Sequence, residues 1–312
     1  MKRIKKYISP LLLTMAAMIW GFAFSAQKAA ESVPAFTLGM ARSFIAAFFL
    51  IIVTVIFDKV FHTGRTLFSK KKIVDFNKSE LIGGAVCGMI LALASFFQQY
   101  GINSGTEAGK ASFITALYVV LVPVYALALR KKAPINVWIS MPIAVIGFYF
   151  LCITGDFEMS LPDVFVFICA LIFPIHILTI DKFSPLCDGI RMSCIQFFTA
   201  GAVNLILALI FEAPIQAGEI AKCILPILFL GIGSSGIAYT LQIIGQKGAN
   251  PAAASILLSL ESVFGVIGSA LFLGEVMTAR EYIGCAVVFI AVILSQINID
   301  SLFKKNNTPT DK

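Results

Sequence analysis

The sequence predicts an all-α integral membrane protein: ten transmembrane helices in two inverted five-helix repeats. Three observations lead there. The 312 residues are 59% hydrophobic and only 13% charged, with a mean hydropathy of +0.92, whereas soluble domains carry about twice that charge. The apolar runs are long and continuous, unlike the short alternating segments of a transmembrane β-barrel. Residues 99–120 also match residues 242–263 in one register, at Gln99 and Gln242, Gly105 and Gly248, Ala111 and Ala254, Ser112 and Ser255, Leu117 and Leu260, and Val120 and Val263.

Ten spans are expected, at 8–29, 35–57, 80–102, 108–129, 134–153, 161–180, 189–210, 223–245, 251–273 and 281–299. The first follows Lys2, Arg3, Lys5 and Lys6 and imitates a secretory signal peptide, with Ala23-Phe24-Ser25 as a weak cleavage site. With so many spans behind it, a retained helix is expected. Connections are short except 58–79, which holds Lys70, Lys71 and Lys72. The sixth span carries Pro174, expected to kink it. The ninth should be one long helix over 251–273, with Asn250 as N-cap, Pro251 at the first helical position and Gly274 at its C-terminal end. Its small residues, among them Ser255, Ser259, Ser262, Gly265 and Gly268, let another helix come close in lipid. The tail, 301–312, is polar and expected to be disordered and cytoplasmic.

The register of the internal match pairs spans three and four with eight and nine, so each unit holds five spans: 1–155 and 156–300. Five is odd, so the second unit must enter the membrane upside down. Inverted repeats with a site at their interface are a transporter architecture.

A net charge of +7 invites a nucleic-acid reading. The basic residues instead crowd the short loops, which is how membrane proteins set their orientation. With the N-terminus cytoplasmic, 19 of the 24 Lys and Arg residues fall on that side. Only Lys28, Lys110, Lys222 and Arg280 lie near the other face, and Arg42 lies within the membrane. Both termini are therefore expected in the cytoplasm, with the plasma membrane as the location and the lipid bilayer, not nucleic acid, as the large partner. The seven cysteines are scattered without CxxC spacing, against a disulfide framework or a metal site, and read as small buried hydrophobes. No cofactor is implied.

Trp20-Gly21, Ala26-Gln27-Lys28, Arg42 and Ala111-Ser112-Phe113-Ile114-Thr115-Ala116-Leu117-Tyr118 through Pro123 resemble the EamA-type transporters of the drug/metabolite transporter superfamily. So do Ala238-Tyr239-Thr240-Leu241-Gln242 and Leu260-Glu261-x-Val263-Phe264 followed by Gly274-Glu275. The resemblance covers nearly the whole chain. It implies ten helices in two inverted repeats, a central substrate cavity and alternating access, in a family that moves amino acids, nucleosides and other small metabolites, often outward. The chain departs from the pattern at Ser262, where the family usually has proline, and at Arg130-Lys131-Lys132, where the first repeat would end in Gly-Glu.

Glu261 is the leading candidate. It lies roughly 15 Å past Pro251 in a hydrocarbon core about 30 Å thick. A carboxylate there costs about 3 kcal/mol on insertion scales unless it meets water or a partner. It reads as a proton or amine site, or as a neutral carboxyl that ties two helices together. His176, roughly 23 Å down the sixth span, is a proton relay or a packing histidine. Arg42, Lys28 and Lys110 could attract an anion. Alternatively they snorkel, the lysines pairing with Glu31 and Glu107. Gln98, Gln99, Tyr118, Gln196, Asn204, Tyr239 and Gln242 complete the polar set, with Trp20 and Phe24 as aromatic walls.

Enzyme and channel readings have less to stand on. The sequence has no HExxH, GxSxG or phosphate loop, Gly155-Asp156 has no partner aspartate, and no filter-like repeat is present. The expected function is a secondary transporter, an exporter of a small polar metabolite such as an amino acid, with protons as the coupling ion. An ion-independent facilitator or an uptake carrier for nucleosides fits the same residues.

Overall fold

The computed structural model describes residues 2–60, 76–153, 159–212, 214, 217–273 and 278–297. The lysines at 70–72, Gly155-Asp156, Gly274-Glu275 and the tail 301–312 lie outside them. Among the described residues every element is helical. The helices are α1 (Lys2–Ala29), α2 (Ala35–Val60), α3 (Lys78–Asn103), α4 (Ala108–Ala116), α5 (Tyr118–Ala128), α6 (Ile135–Cys152), α7 (Leu161–Phe183) and α8 (Gly189–Phe211). Two short pieces follow, α9 (Ala217–Lys222) and α10 (Ile224–Leu228), then a π-helical stretch, Phe229–Ala238. The chain continues through α11 (Tyr239–Gln246), α12 (Pro251–Leu258), α13 (Glu261–Leu273) and α14 (Ala279–Gln296). Nine stretches of the described residues are long and apolar enough to cross a membrane. The fifth expected span, 134–153, holds only a shorter apolar helix, Ile135–Leu151.

The molecule is turned inside out relative to a soluble domain. Large apolar side chains such as Leu11, Ile52, Ile210, Phe211 and Leu225 cover the outside, while Arg42, Gln98, His176, Gln196, Gln242 and Glu261 are buried. Only a lipid solvent makes both choices favourable.

The helices pack as neighbours in a regular scheme. α2 lies along α8, α3 along α7 and α8, α6 along α14, and α1 along α13, α11 and the π-helical stretch. Two pairs are plainly antiparallel. At one end of α2, Phe36 N, Thr37 N and Thr37 Oγ1 donate to the Glu212 carboxylate just past α8, at 2.8, 2.7 and 2.9 Å. At its other end Asp58 pairs with Arg191 in the first turn of α8, at 2.6 Å. Likewise Asn136 Nδ2, at the start of α6, donates to Ser295 O at the end of α14. Gly147 and Gly284 let those two backbones touch: a Cβ on Gly284 would stand 2.9 Å from Gly147 O and 2.7 Å from Leu151 N.

Helix starts follow local chemistry. Asn250 caps α12 through Ala252 N and Ala253 N, and Pro251 occupies its first turn. Asn77 and Glu80 form a capping box on α3, as do Ser160 and Asp163 on α7. α7 runs as one helix through Pro174.

The expected single helix over 251–273 is in fact two. α12 ends at Leu258 and α13 begins at Glu261. The tight bond from Leu260 N to Leu257 O, 3.2 Å, marks the joint. The Ser255 and Ser259 hydroxyls bond back to Ala252 O and Ile256 O, both at 2.8 Å, and such back-bonding bends helices. The fourth span breaks likewise between α4 and α5, with Leu117 N on Ile114 O and Val120 N on Leu117 O, at 3.2 and 3.0 Å.

A second correction concerns Lys110. Lys28 does pair with Glu31, at 2.6 Å. Lys110, however, pairs with Asp163 at 2.6 Å, not with Glu107. Glu107 is the extended residue just before α4, whereas Asp163 is buried at the start of α7, where Thr106 Oγ1 also donates to it at 3.0 Å.

Candidate functional site

The two broken spans deliver their first post-break residues, Tyr118 and Glu261, to one central cavity. α1 contributes Trp20, Phe24 and Gln27, α2 Arg42, and α3 Gln98. Thr115 comes from α4, Phe173 from α7, Ser234 from the π-helical stretch, and Tyr239 and Gln242 from α11. The space open to the centre of a water molecule is about 40 Å³, room for a few waters. Pockets that hold drug-sized ligands begin near ~300 Å³, so the walls here are drawn in.

Of the expected site residues, Trp20, Phe24, Arg42, Gln98, Tyr118, Tyr239, Gln242 and Glu261 line this cavity, and Lys28, Lys110 and Asn204 do not. Gln99, His176 and Gln196 stand behind it. Gln99 Nε2 donates to Asn103 Oδ1 at 2.7 Å and lies 3.4 Å from Gln27 O. His176 Nε2 meets Gln196 Oε1 at 3.1 Å, with its ring edge-on to Tyr239 at 5.8 Å. Sequence reasoning passed over Ser234, and placed Gln27 and Thr115 only in family motifs.

The walls differ in chemistry. Arg42 donates through Nε to Ser235 Oγ at 3.1 Å and through Nη2 to Ser234 Oγ at 3.3 Å. These serines ride on the π-helical stretch, whose Gly231 and Gly236 face Ile45 and Phe49 of α2. The Trp20 indole N–H donates to Ser234 O at 3.1 Å, and its ring tilts against Tyr239 at 4.6 Å. Gln27 Nε2 donates to Gln98 Oε1 at 3.2 Å, and Gln98 Nε2 to Thr115 Oγ1 at 3.1 Å. Glu261 Oε1, Gln242 Oε1 and the Tyr118 hydroxyl are buried with no hydrogen-bond partner among the described residues. A buried polar group left unpaired costs about 1–3 kcal/mol, so the cavity holds unused bonding capacity.

Ser112 and Ser262 hold α4 to α13 beside the cavity, with their hydroxyls 2.8 Å apart and Ser262 Oγ 3.3 Å from Ser112 O. A second cleft, about 410 Å³, opens between the starts of α1 and α12 and the end of α14. Ser9, Lys247, Asn250, Leu257 and Gln296 are among its lining residues. Leu257 faces this cleft and Leu258 the central cavity.

The profile of the EamA-like transporter family matches residues 8–153 and again 160–296. The chain belongs to the EamA-like transporter family. It carries two copies of the domain and is a multi-pass membrane transporter. An "Uncharacterized transporter" of Archaeoglobus fulgidus is 27% identical over 298 residues, 95% of this chain and 88% of that protein. A solved structure described as "Crystal structure of protein" superposes with a TM-score of 0.74 at 16% identity. It covers 96% of this chain and 99% of its own, a likeness of fold alone.

Proposed function

We propose that this EamA-like protein is a secondary transporter, an exporter of a small polar metabolite such as an amino acid, working by alternating access around the Arg42–Glu261 cavity. The observation that carries the reading is the meeting of two broken helices at one closed polar cavity. Helices interrupted at corresponding positions are where transporters place their binding sites.

Two inverted repeats of five helices, 1–155 and 156–300, make sense of the packing. Under the register of the internal match, Tyr118 corresponds to Glu261, and the two breaks coincide. Gly105 and Gly248, matched by that register, both have left-handed backbones, with φ of 121° and 81°, a conformation that favours glycine. The helices that correspond, α2 with α8 and α6 with α14, run antiparallel against each other, as units inserted upside down require. α1 packs on the eighth and ninth spans as α7 packs on the third and fourth. The shorter α6 then counts as the fifth of ten spans.

The basic bias supports cytoplasmic termini, and in a plasma-membrane protein so oriented the Leu257 cleft faces the cytoplasm. Rocking of one repeat against the other would open it to the cavity across Leu257 and Leu258. Cysteines at 70–72 should react with an impermeant thiol reagent only from the cytoplasmic side, and cysteines at 156–158 only from the outer side. Labelling of both sets from one face would remove the inverted arrangement.

Transport itself is tested in proteoliposomes. A carrier saturates and exchanges trapped metabolite against added metabolite, that is, it shows counterflow. Flux that never saturates, or covalent change of the metabolite, would assign the protein to a channel or an enzyme instead. A thermal-shift screen of amino acids and nucleosides chooses the metabolite to load.

A further inference from the structure

Three acceptors lining the cavity have no partner in hydrogen-bond geometry among the described residues, although the Tyr118 hydroxyl and the Glu261 carboxyl are neighbours. Glu261 Oε1, Gln242 Oε1 and the Tyr118 hydroxyl oxygen are buried, line the same small space, and accept no hydrogen bond from any described residue. They come from three separate elements, α13, α11 and α5. Their local helices do not use them either: Glu261 and Tyr118 each stand at the first position after a break, where side chains are free to turn inward. Two other polar residues of the lining are different. The Arg42 guanidinium is engaged by the Ser234 and Ser235 hydroxyls, and Gln98 is engaged at both ends of its amide by Gln27 and Thr115.

We propose that Glu261, Gln242 and Tyr118 form a subsite for a protonated primary amine, and that the transported metabolite enters ammonium-end first against them. This rests on the transport reading above. An alkylammonium carries three N–H donors and no acceptor, one for each unpaired oxygen. A carboxylate brings a charge-assisted bond, about twice the strength of a neutral one. Trp20 and Tyr239, 4.6 Å apart, wall the same cavity and favour a cation over an anion. An anionic or purely hydroxylic ligand would set like charge against Glu261 or leave its oxygen underused. The aromatic wall alone would suit a quaternary ammonium equally well. The three unpaired oxygens would not, because a quaternary nitrogen has no N–H to give them.

The test uses the full-length protein in lipid nanodiscs and four probes on one four-carbon chain: n-butylammonium, its N,N,N-trimethyl analogue, n-butanol and butyrate. Thermal stabilisation is titrated against each probe at neutral pH. n-Butylammonium should bind about tenfold or more tightly than the trimethyl analogue or the alcohol, since those leave the acceptors unpaired, and butyrate should not stabilise. Gln242→Leu and Tyr118→Phe should each narrow that preference while preserving the unliganded melting temperature. If either variant melts early, the milder Gln242→Glu, which keeps the acceptor, should retain the preference. Equal binding of the trimethyl analogue would assign recognition to the aromatic wall and overturn the subsite. So would equal binding of butanol or butyrate, or no binding by any probe. If counterflow of a metabolite persists in those cases, the subsite falls and the transport reading stands. If counterflow is absent while the amine preference holds, the reverse is true.

Discussion

Glu261→Gln should still exchange substrate in counterflow and should fail to concentrate it on a pH gradient. The substitution keeps the shape of the side chain and removes its titration and its negative charge. Its charged or titratable neighbours among the described residues can be named. Tyr118 projects from α5, Tyr239 from α11, Cys169 from α7, and Arg42 from α2, its guanidinium on Ser234 and Ser235. Among these described neighbours no second carboxylate stands ready to take over, and His176 lies behind Tyr239. If Glu261 exchanges a proton as the cavity turns from one face to the other, the wild type accumulates substrate and the variant only equilibrates it. The predicted loss is the whole gradient-driven component, on the order of tenfold or more in accumulation ratio, since one proton moved down one pH unit is worth about 1.36 kcal/mol. Counterflow, which needs no net proton movement, should persist in the same vesicles once substrate is raised to saturation, at a higher KM because the amine subsite has lost its carboxylate. A structural Glu261 would instead lower both together or neither. Undiminished pH-driven accumulation in the Gln variant would end the coupling role of Glu261 and turn attention to His176.

The membrane-spanning helices were legible because they are written in solvent preference. Long apolar runs need no tertiary information, and Gly105 and Gly248, matched in the sequence, both sit where the backbone turns left-handed. The Asn250-Pro251 start of α12 was legible for the same local reason. The breaks at Leu117 and at Ser259-Leu260 were not. Apolar composition runs through both without a glycine or proline at the joint, and the serine back-bonds near Ser259 resemble ordinary mid-helix serines in one dimension. The cavity was legible in its charged and large polar members, since those are expensive in lipid. Thr115 and Ser234 were not, because a small hydroxyl can satisfy itself on its own helix. The Gly-Ser-Ser-Gly run at 233–236 was the available signal: two adjacent hydroxyls between glycines, on the face that meets Arg42. Lys110 was assigned to its neighbour in sequence, when its partner stands on α7, 53 positions on.

Gly21→Val should disable the protein more thoroughly than any other single glycine substitution along the α1–α13 crossing. A Cβ at Gly21 would stand 2.5 Å from Phe264 Cβ, 2.6 Å from Glu261 O and 2.7 Å from Gly265 N. Two of those three atoms are backbone and the third is the root of a side chain, so no rotamer change relieves the clash. α1 must move off α13, and Trp20 and Glu261 move apart with it, opening the cavity where its walls are closest. Overpacking of this kind costs about 1–3 kcal/mol, and the displaced Trp20 should lower the counterflow rate by about tenfold or more, since small misplacements at a site cost about that much or more. The same crossing supplies its own controls. A Cβ at Gly268 would meet Phe22 Cδ1 at 2.6 Å, the far part of a ring that can turn aside, so Gly268→Ala should cost less. At Gly265 the nearest atom is Gly21 O at 3.6 Å, ordinary contact, so Gly265→Ala should be close to neutral. Gly218, on α9 away from that crossing, has nothing within 4 Å and should accept valine without effect. Melting temperature in detergent and counterflow rate, measured across the four variants, should therefore fall in the order Gly218 and Gly265 least, Gly268 next, Gly21 most. A Gly21→Val protein as stable and as fast as the Gly265→Ala protein would mean that α1 and α13 do not cross at this distance, and the cavity drawn between them would have to be redrawn.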